Sequence, residues 1–397
     1  MLKGKTVVLG VTGSIAAYKT ASLASMLVKQ HCDVHVIMTQ NATNFINPIA
    51  FETLTNHKCL VDTFDRNFQF HVAHVSLAQK ADVMMIAPAS ANIIAKLAHG
   101  IADDMLSTTA LACSARILVS PAMNVHMFHN PIVQDNINTL KKYGMEVISP
   151  VSGYLACGDT GEGKMPEPEE LYQYILREIA CEKDLKGKKI MVTAGPTREA
   201  IDPVRYITNH STGKMGYAIA KRAMLRGADV TLISGPVELK PIPFVHFIPV
   251  VSAQDMFEAV RDGLGECDVL IKSAAVADYR PSEISSEKIK KKDGDMSIAL
   301  ERTTDILGYA GEHKKPGQIF CGFSMETQNM LENSRKKLKK KNLDLIVANN
   351  LKQKGAGFGT DTNLVTLISQ KEEKELELMS KEDVADRILD YIVYLSK

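Results

Sequence analysis

The sequence predicts an α/β protein with two domains and mainly parallel sheets. Its 397 residues exceed the size at which a single hydrophobic core stops growing. A short charged turn followed by a β-branched apolar run occurs twice, at residues 2–10 and again at residues 185–193. Each of these starts leads into a glycine-containing turn, an Ala-rich helical stretch and a second apolar run. We therefore predict one domain over residues 1–184 and another over residues 185–397.

The first domain alternates strand-like apolar runs with segments of helix length. This alternation predicts a parallel sheet with helices on both faces, a three-layer arrangement of the Rossmann or flavodoxin type. In such sheets ligands bind at the carboxyl ends of the strands, so the loops after the strands are the expected site. A Gly/Pro-rich loop at residues 152–168 and a helix at residues 171–180 close the domain. The predicted strands span residues 6–10, 34–38, 83–87, 117–120 and 147–149.

The second domain repeats this pattern and adds a long polar connection. Residues 278–300 are rich in lysine and too long for an ordinary connection, which indicates a functional or mobile loop. The charged run at residues 372–377 and the last helix, at residues 381–395, are expected to form a solvated edge. The predicted strands of this domain span residues 190–193, 230–234, 269–273, 319–323, 345–348 and 364–368.

Composition and charge exclude several classes of protein. Residues 1–180 carry 13 Lys+Arg against 15 Asp+Glu and the rest of the chain carries 34 against 31, so neither half has the basic excess that nucleic-acid binding requires. The seven cysteines form no C-x-x-C motif, which argues against a disulfide framework and a zinc site. The sequence shows no apolar run of membrane-spanning length and no secretory signal pattern. We expect a cytoplasmic protein without a membrane partner.

The turn after the first strand is the first candidate binding site. Residues 10–16 have the pattern G-x-x-G-x-x-A. Free N–H groups and a helix dipole at such a turn attract phosphate, and Ser14 adds a hydroxyl. The dinucleotide fingerprint is broken by this glycine spacing and by Thr39, which ends the second strand where an acidic residue would hold a ribose. A mononucleotide suits the turn better than NAD, and a tight turn without any ligand explains this single feature equally well.

Two further segments follow the third and fourth strands of the first domain, and a third, at residues 103–108, starts another segment. Residues 88–92 read PASAN, residues 103–108 read DDMLST and residues 121–127 read PAMNVHM. Together with GSIAAYK in the first turn, they resemble the flavin-dependent cysteine decarboxylase family, which includes phosphopantothenoylcysteine decarboxylase. The resemblance implies a doubly wound domain that binds FMN, with Ile93 departing from the Thr that is common in the family. The implied FMN contacts are Gly13, Ser14, Ile15, Thr39, Ser90, Asn92, Ser107 and Thr108.

The same resemblance implies three catalytic residues. His74 matches the active-site histidine, Asn124 the asparagine that holds the substrate carboxylate, and Cys157 the cysteine of the substrate flap. Without the family, Asn124 is a good helix cap and Cys157 an inert thiol, and His74 is half of a surface pair with His71. The resemblance also implies that FMN is the electron sink for loss of carbon dioxide and that Cys157 supplies a proton to carbon.

A second candidate site follows the first strand of the second domain. Residues 195–197 read GPT and residues 209–216 read NHSTGKMG. The Gly-Lys pair suggests a P-loop, but Thr208 replaces the first glycine and Met215 replaces the metal-binding Ser or Thr. The segment still offers backbone N–H groups, hydroxyls and a lysine at a helix start, which suit a phosphorylated ligand.

This half of the chain resembles phosphopantothenate-cysteine ligase of the bacterial, CTP-using kind. The motifs that carry the resemblance are NHSTGKMG, AAVADYRP at residues 274–281, KIKK at 288–291, G-F-x-x-E-T at 322–327 and KNLD at 341–344. The resemblance implies that phosphopantothenate attacks CTP to give an acyl-cytidylate and pyrophosphate, and that the amine of cysteine then displaces CMP.

Residue roles in this half follow from the resemblance. Asn209 matches the asparagine that handles the acyl-cytidylate, Lys288 the lysine needed for its formation, and Asp278 the acidic residue of the CTP site, suited to Mg2+. Residues 288–292 are either a solvated charge run or a loop that closes on the triphosphate, and their place beside Asp278 favours the loop. Most of the lysine-rich run at residues 335–341 is expected to be a solvated helix face. The remaining implied CTP contacts are Ala275, Thr304, Asp305, Ile306, Leu307, Phe323, Lys337 and Lys341.

The two resemblances together imply an enzyme with two consecutive activities in coenzyme A biosynthesis. The second domain would join cysteine to 4'-phosphopantothenate, and the first would decarboxylate the 4'-phosphopantothenoylcysteine to 4'-phosphopantetheine. The family association implies FMN sites between protomers and a homo-oligomer, a dodecamer of decarboxylase trimers and ligase dimers. The alternatives are an NAD(P)-dependent oxidoreductase, which the broken fingerprints disfavour, and a flavin- or nucleotide-binding regulatory protein without turnover.

Overall fold

The computed structural model describes residues 2–64, 73–154, 160–290, 296–326, 329–350, 357 and 359–396. The chain divides into two compact units, Met1–Cys181 and Glu182–Lys397, which we call the N-terminal unit and the C-terminal unit. Both are α/β structures with mainly parallel sheets, which confirms the predicted fold class. Within the described ranges, no helix has the length and apolar character needed to cross a membrane.

The N-terminal unit is built on one parallel sheet. Its strands are β1 (Thr6–Val11), β2 (Asp33–Met38), β3 (Val83–Ala89), β4 (Arg116–Pro121) and β5 (Glu146–Val147). The order β2-β1-β3-β4-β5 is that of a doubly wound flavodoxin-like sheet. Every residue of β1 and β3 is buried, because helices cover both faces of the sheet. The winding direction reverses between β1 and β3, and the loops after these two strands therefore border the expected ligand crevice.

Within the described residues, five helices of this unit begin at polar side-chain caps. Asn47 accepts a hydrogen bond from the Ile49 N–H at 3.1 Å, and Asp104 accepts one from the Ser107 N–H at 2.8 Å. A short 3-10 helix, Gln40–Asn44, follows β2. The α-helices are α1 (Ala17–Lys29), α2 (Pro48–Thr55), α3 (Ala73–Lys80), α4 (Ala91–His99), α5 (Met105–Ala112), α6 (Val125–Phe128), α7 (Pro131–Lys142) and α8 (Pro168–Ile179). Of these, α2 and α4 to α7 begin at the side-chain caps.

The segment after β5 is not the irregular loop that its Gly/Pro content predicts. It contains an antiparallel pair, β6 (Val151–Tyr154) and β7 (Thr160–Lys164). The Met123 N–H donates to the Gly163 carbonyl at 3.1 Å, and a Cβ on Gly163 would lie 2.4 Å from the Met123 carbonyl oxygen. Backbone contact with the loop after β4 thus positions this hairpin, and for that reason its sequence lacks the apolar alternation of a packed strand.

The C-terminal unit contains a larger sheet. Six strands are parallel in the order β12-β11-β8-β13-β16-β17, which is the Rossmann order, and β19 and β20 extend it as antiparallel strands. Three short antiparallel pairs, β9 with β10, β14 with β15 and β18 with β21, lie outside this sheet. The strands are β8 (Lys189–Ala194), β9 (Arg198–Ala200), β10 (Tyr206–Thr208), β11 (Asp229–Ser234), β12 (His246–Pro249), β13 (Val269–Lys272), β14 (Tyr279–Pro281), β15 (Leu300–Arg302), β16 (Ile319–Glu326), β17 (Leu345–Asn350), β18 (Thr362–Asn363), β19 (Val365–Ser369), β20 (Glu373–Glu375) and β21 (Met379–Ser380).

Helices cover both faces of this sheet, around a core that includes Met256, Phe320 and Ile346. The exposed, charged strand β20 forms the solvated edge that the run at residues 372–377 predicts. The helices are α9 (Lys214–Leu225), α10 (Ala253–Leu264), α11 (Ile306–Glu312), α12 (Met330–Lys340) and α13 (Lys381–Leu395).

Each apolar run that was predicted as a strand contains residues of a strand in the structure. The structure differs from the prediction at the edges of the sheets and in the long connection at residues 278–300. Strand β12 was not predicted, because it is a four-residue edge strand with no buried residue. The stretch at residues 278–300 is not wholly irregular, since β14 and β15 pair near its ends. Most residues of β14 and β15 are exposed. Alternation of apolar and polar residues arises when one face of a strand is buried, so these two strands do not show it.

Gly216 allows helix α9 to pack closely on β8, and its replacement should destabilise the C-terminal unit. A Cβ at this position would lie 2.6 Å from the Ala194 Cβ and 3.0 Å from the Thr193 carbonyl oxygen. We expect Gly216→Ala to lower the free energy of unfolding by about 1–3 kcal/mol, despite the better helix propensity of alanine. Calorimetric unfolding measures this change. Gly265→Ala is the control, since its Cβ would meet only the flexible Lys315 ammonium at 3.2 Å, and equal effects of the two substitutions would contradict the packing argument.

Candidate functional site

The turn between β1 and α1 presents three consecutive backbone N–H groups. Within the described part of the chain, the N–H groups of Gly13, Ser14 and Ile15 have no hydrogen-bond acceptor. The next two N–H groups, of Ala16 and Ala17, bond back to the side chain and carbonyl of Ser14. The positive end of the α1 dipole lies at the same turn. These predicted residues therefore form a place where a phosphate group can accept several hydrogen bonds.

Thr12 joins this turn to the loop after β3. Its buried hydroxyl donates to the Pro88 carbonyl at 2.7 Å and accepts from the Ser90 N–H at 2.9 Å. Ser90 also caps α4, and the Thr39 N–H donates to the Val11 carbonyl at 3.0 Å, which brings the end of β2 to the same place. The predicted residues Ser90 and Thr39 thus lie beside the turn. Thr12 itself was missed, although a hydroxyl residue between the two glycines of the turn could have indicated it.

Asn124 begins the loop-to-helix turn after β4. Its side chain accepts a hydrogen bond from the His126 N–H at 2.8 Å, so it is a helix cap as well as a candidate ligand of substrate. The Ala122 N–H donates to the Ala89 carbonyl at 3.0 Å, which joins this loop to the loop after β3. The β6–β7 hairpin contacts the same loop through Gly163. Residues 155–159, with the predicted Cys157, lie outside the described residues.

Other predicted residues of this unit are placed less directly. His74 is half-buried at the start of α3, and among the described residues no hydrogen bond or ion pair joins it to the three loops. Asn92 is exposed on the first turn of α4. Ser107 bonds to Asp104 within a capping box, and Thr108 donates to the Ala102 carbonyl at 3.3 Å, so both hydroxyls have local partners.

Ile93, which departs from the family pattern, is a core residue. Its side chain is 1% exposed and packs in the cluster that contains Ile86 and Leu106. The position is therefore filled by packing, and any contact it makes with a ligand is limited to the backbone.

The C-terminal unit has a cavity of about 400 Å³ at the carboxyl ends of β13, β16 and β17. The cavity opens where the strand order reverses, between β8 and β13, which is the ligand position of a Rossmann sheet. Residues 211–216, from the start of α9, form part of its wall. The structure thereby brings five predicted residues to one site, namely Asn209, Ala275, Asp278, Phe323 and Lys337.

Buried threonines and an amide hold the loop after β13 in place. The Thr193 hydroxyl accepts from the Ala274 N–H at 3.2 Å, and the Thr197 hydroxyl accepts from the Ala277 N–H at 3.0 Å. Asn209 donates its amide to the Ala275 carbonyl at 2.9 Å. Both threonines are completely buried. Thr197 belongs to the predicted GPT segment, whereas Thr193 was not predicted, because a buried threonine within a strand is ordinary in sequence.

Two lysines, one on α12 and one at its C-cap, are held by neighbouring loops and strands. Lys337 donates to the Phe323 carbonyl at 2.9 Å, and Lys341 pairs with Asp305 at 2.8 Å. Partial burial acts to raise the pKa of Asp305, but its bonds to Lys341 and to the Gly308 N–H hold that pKa below the ordinary value. Asp305 is thus an ionised cap of α11.

The predicted residues at the start of α11 differ in what they can offer a ligand. Thr304 is exposed, whereas the side chains of Ile306 and Leu307 are each 2% exposed and lie in the core. Only the backbone of these two residues can face a ligand. Asp278 is exposed at the cavity, and in the described structure its carboxylate has no ion-pair partner.

The loop that carries the exposed Lys288 is fixed at Ile289. The Asp202 side chain is fully buried and accepts from the N–H groups of Val204 and Arg205, both at 2.8 Å. Asp202 also accepts from the Arg205 guanidinium and, at 3.1 Å, from the Ile289 N–H. Arg205 in turn donates to the Ile289 carbonyl at 2.8 Å. One ion pair therefore satisfies both backbone groups of Ile289 and limits where Lys288 can lie.

The charge of Asp202 is secured by the same contacts. The Arg205 hydrogen bond, together with the backbone donors, holds the pKa of the Asp202 carboxyl well below its usual range. Because this folded-state pKa is depressed, the contribution of the pair is complete at neutral pH and is lost only as the pH falls into the strongly acidic range. Neither Asp202 nor Arg205 was predicted, and only their tertiary contacts identify them.

Comparison with known proteins matches each unit to a family. Residues 1–180 match the model described as Flavoprotein, and residues 185–395 match the model of the DNA/pantothenate metabolism flavoprotein C-terminal domain. The chain is 50% identical over 401 residues to the coenzyme A biosynthesis bifunctional protein CoaBC of Bacillus subtilis (strain 168), covering 100% of this chain and 98% of the relative. The protein of the same name from Haemophilus influenzae is 43% identical over 392 residues, covering 99% of this chain and 98% of the relative. A crystal structure of the C-terminal domain of a CoaBC protein is 46% identical, with a TM-score of 0.47, and covers 54% of this chain and 98% of that chain.

Asp202→Asn should loosen the loop around Ile289. Asparagine keeps the volume of the side chain but removes the negative charge that pairs with Arg205. It also places an NH2 donor against groups that are themselves donors, the Arg205 guanidinium and the Ile289 N–H. We expect the backbone amide exchange of Ile289 to increase by about tenfold in hydrogen-exchange mass spectrometry, with no change in β13. Asp262→Asn, which breaks an exposed pair with Arg261, is the control. Unchanged exchange at Ile289 would show that the pair does not hold the loop.

Proposed function

The chain belongs to the family of bifunctional coenzyme A biosynthesis proteins, and we propose that its C-terminal unit joins cysteine to 4'-phosphopantothenate with CTP while its N-terminal unit decarboxylates the product with FMN. The observation that carries the proposal is that relatives with this bifunctional name match the whole chain. Two separate sites at strand ends, one in each unit, agree with two activities. The product of the C-terminal unit, 4'-phosphopantothenoylcysteine, is then the substrate of the N-terminal unit.

The N-terminal unit offers groups that suit FMN. The three free N–H groups at residues 13–15 would bind its phosphate, and the loop after β3 would lie beside the flavin. When bound, FMN supplies reversible two-electron oxidation of the CH2–SH group of the substrate. An anionic phosphate would also satisfy these N–H groups, which have no acceptor among the described residues. The fit is therefore to a mononucleotide whose phosphate lies at the α1 N-terminus.

Decarboxylation requires a sink for the electron pair of the breaking C–C bond. The carboxylate of the substrate lies next to an amide nitrogen, and the carbanion left by carbon dioxide has no stabilising group there. A thioaldehyde on the neighbouring carbon changes this, because the electrons can delocalise into C=S. Asn124 would hold the carboxylate by hydrogen bonding, and Cys157 would donate a proton to carbon when the product is formed. His74 is the third residue proposed for this site.

Cys157→Ser should separate carbon dioxide release from product formation. The hydroxyl is a much weaker acid than the thiol, so the proton needed at carbon is not supplied. We expect carbon dioxide to be released in the first turnover, while the yield of 4'-phosphopantetheine falls by at least about a hundredfold. Single-turnover assays with mass spectrometry measure both. Cys113→Ser, at a half-buried position outside the loops, is the control, and normal product formation by Cys157→Ser would remove its proposed role.

The C-terminal unit offers groups that suit activation of a carboxylate by CTP. A carboxylate does not condense with an amine in water, and an acyl-cytidylate provides the leaving group that condensation needs. Lys288 would stabilise the charge that develops when the carboxylate attacks the nucleotide, and Asn209 beside Ala275 would hold the acyl-cytidylate. Asp278 would bind Mg2+, whose charge offsets that of the triphosphate. Lys337, Lys341, Phe323 and residues 304–307 would complete the CTP site.

Lys288→Gln tests the ligase half separately. Glutamine keeps a polar side chain of similar length but cannot offer positive charge to the transition state. We expect CTP-dependent pyrophosphate release to fall by about a hundredfold or more, while decarboxylation of added 4'-phosphopantothenoylcysteine continues at the normal rate. Lys290→Gln, two residues along the same loop, is the comparison. Retained ligase activity in Lys288→Gln would refute its role.

One assay decides the complete proposal. The full-length protein is given CTP, cysteine and either 4'-phosphopantothenate or pantothenate, and pyrophosphate and carbon dioxide are both measured. Release of both with the phosphorylated substrate supports the two activities. Absence of both, with flavin still bound, would indicate a regulatory protein that binds flavin without turnover. The cytoplasmic location and the dodecamer of decarboxylase trimers and ligase dimers stay predictions, which fractionation and native mass spectrometry can test.

A further inference from the structure

We infer that Lys272 is an additional CTP ligand, whose ammonium pairs with a phosphate of the nucleotide in the cavity of the C-terminal unit. This inference rests on the proposed ligase function and adds a phosphate-binding residue to that site. No sequence motif indicates it, because the residue is part of an apolar strand with the sequence VLIK.

Lys272 is the last residue of β13 and lines the cavity of about 400 Å³. Strand β13 lies beside β8, where the strand order reverses, so its carboxyl end points to the ligand position of the sheet. Asn209, Asp278 and Lys337 line the same cavity. An ammonium at this place is close to any nucleotide that these residues bind.

The described residues give the ammonium of Lys272 no partner. In the described part of the chain, no hydrogen bond or ion pair reaches it, although it is only partly exposed. The neighbouring cations differ, because Lys337 donates to the Phe323 carbonyl and Lys341 pairs with Asp305. Since a desolvated charge without a counter-ion is costly, an anionic ligand is the partner that this site lacks.

The electrostatics of the cavity agree with this assignment. Burial, with a smaller contribution from the positive charges of Lys337 and Lys341, lowers the pKa of Lys272 to about 8, although the carboxylates of Asp305 and Asp278 act to raise it. The electrostatic potential at the Lys272 ammonium is thus positive. A bound triphosphate would make this potential negative and so stabilise the charged form of Lys272.

A consequence is that CTP binding takes up a proton in mildly alkaline solution. The bound nucleotide raises the pKa of Lys272 above its value of about 8 in the free protein. The ion pair is then fully available below pH 7 and is lost as the pH rises through the pKa of the complex. Between these limits, part of the protein must gain a proton when it binds CTP.

Lys272→Met tests the inference with the full-length protein and Mg·CTP in titration calorimetry. Methionine keeps the apolar stem and removes the charge. At pH 7 we expect CTP affinity to fall by about tenfold or more. Lys272→Arg should retain most of the affinity, and Lys340→Met, which removes an exposed lysine of α12, should leave it unchanged. Unchanged hydrogen-exchange protection of β8 and β16 in the same chains reports that the C-terminal unit is folded.

The proton uptake gives a second readout that does not depend on turnover. Titrations at pH 8.5 in buffers of different ionisation enthalpy should show uptake of a fraction of a proton by the unsubstituted protein and almost none by Lys272→Met. Normal CTP affinity in Lys272→Met, equal losses in Lys272→Met and Lys340→Met, or persistent uptake would overturn the inference. Loss of 4'-phosphopantothenate affinity alone would also overturn it. If the unsubstituted protein neither binds CTP nor releases pyrophosphate, the ligase proposal itself fails, whereas any of the other contrary results leaves it standing.

Discussion

Buried threonine hydroxyls at the ends of parallel strands hold both candidate sites together. A strand leaves its ladder at its carboxyl end, and the backbone groups beyond that point need other partners. Thr12 supplies them in the N-terminal unit, where it joins the turn after β1 to the loop after β3. Thr193 and Thr197 do the same for the loop after β13. The backbone of each candidate site therefore depends on buried hydroxyls.

The two sites differ in how they attract negative charge. In the N-terminal unit the attraction comes from backbone N–H groups and a helix dipole, and the nearby Lys19 is committed to the Met165 carbonyl and to Glu167. In the C-terminal unit it comes from lysine side chains, with Lys272, Lys337 and Lys341 on neighbouring elements. This difference follows the proposed ligands. A single flavin phosphate needs oriented donors, whereas a triphosphate with its metal ion needs several full charges.

The sequence was sufficient for those parts of the sites that lie next to a strand. The glycine turn at residues 10–16, Asn124 and the residues 274–278 were identified because apolar runs locate strand ends, and strand ends locate loops. Family resemblance supplied the chemistry at these positions. The β6–β7 hairpin and the Asp202–Arg205 pair were not identified, because backbone contacts position the hairpin and the pair holds Ile289, which lies 87 positions from Asp202 in sequence. Neither arrangement leaves a local period or motif.

The sequence by itself determined two α/β units, their strands and the loops that carry the chemistry, since burial of alternating elements imposes an apolar pattern on the chain. Only the tertiary structure decided which polar groups have partners and which do not. It shows that the Ser107 hydroxyl is hydrogen-bonded to Asp104. The N–H groups of residues 13–15 and the ammonium of Lys272, in contrast, have no acceptor in the described structure. Hydrogen bonding between distant residues sets that distinction, and a linear pattern of residue types does not record it.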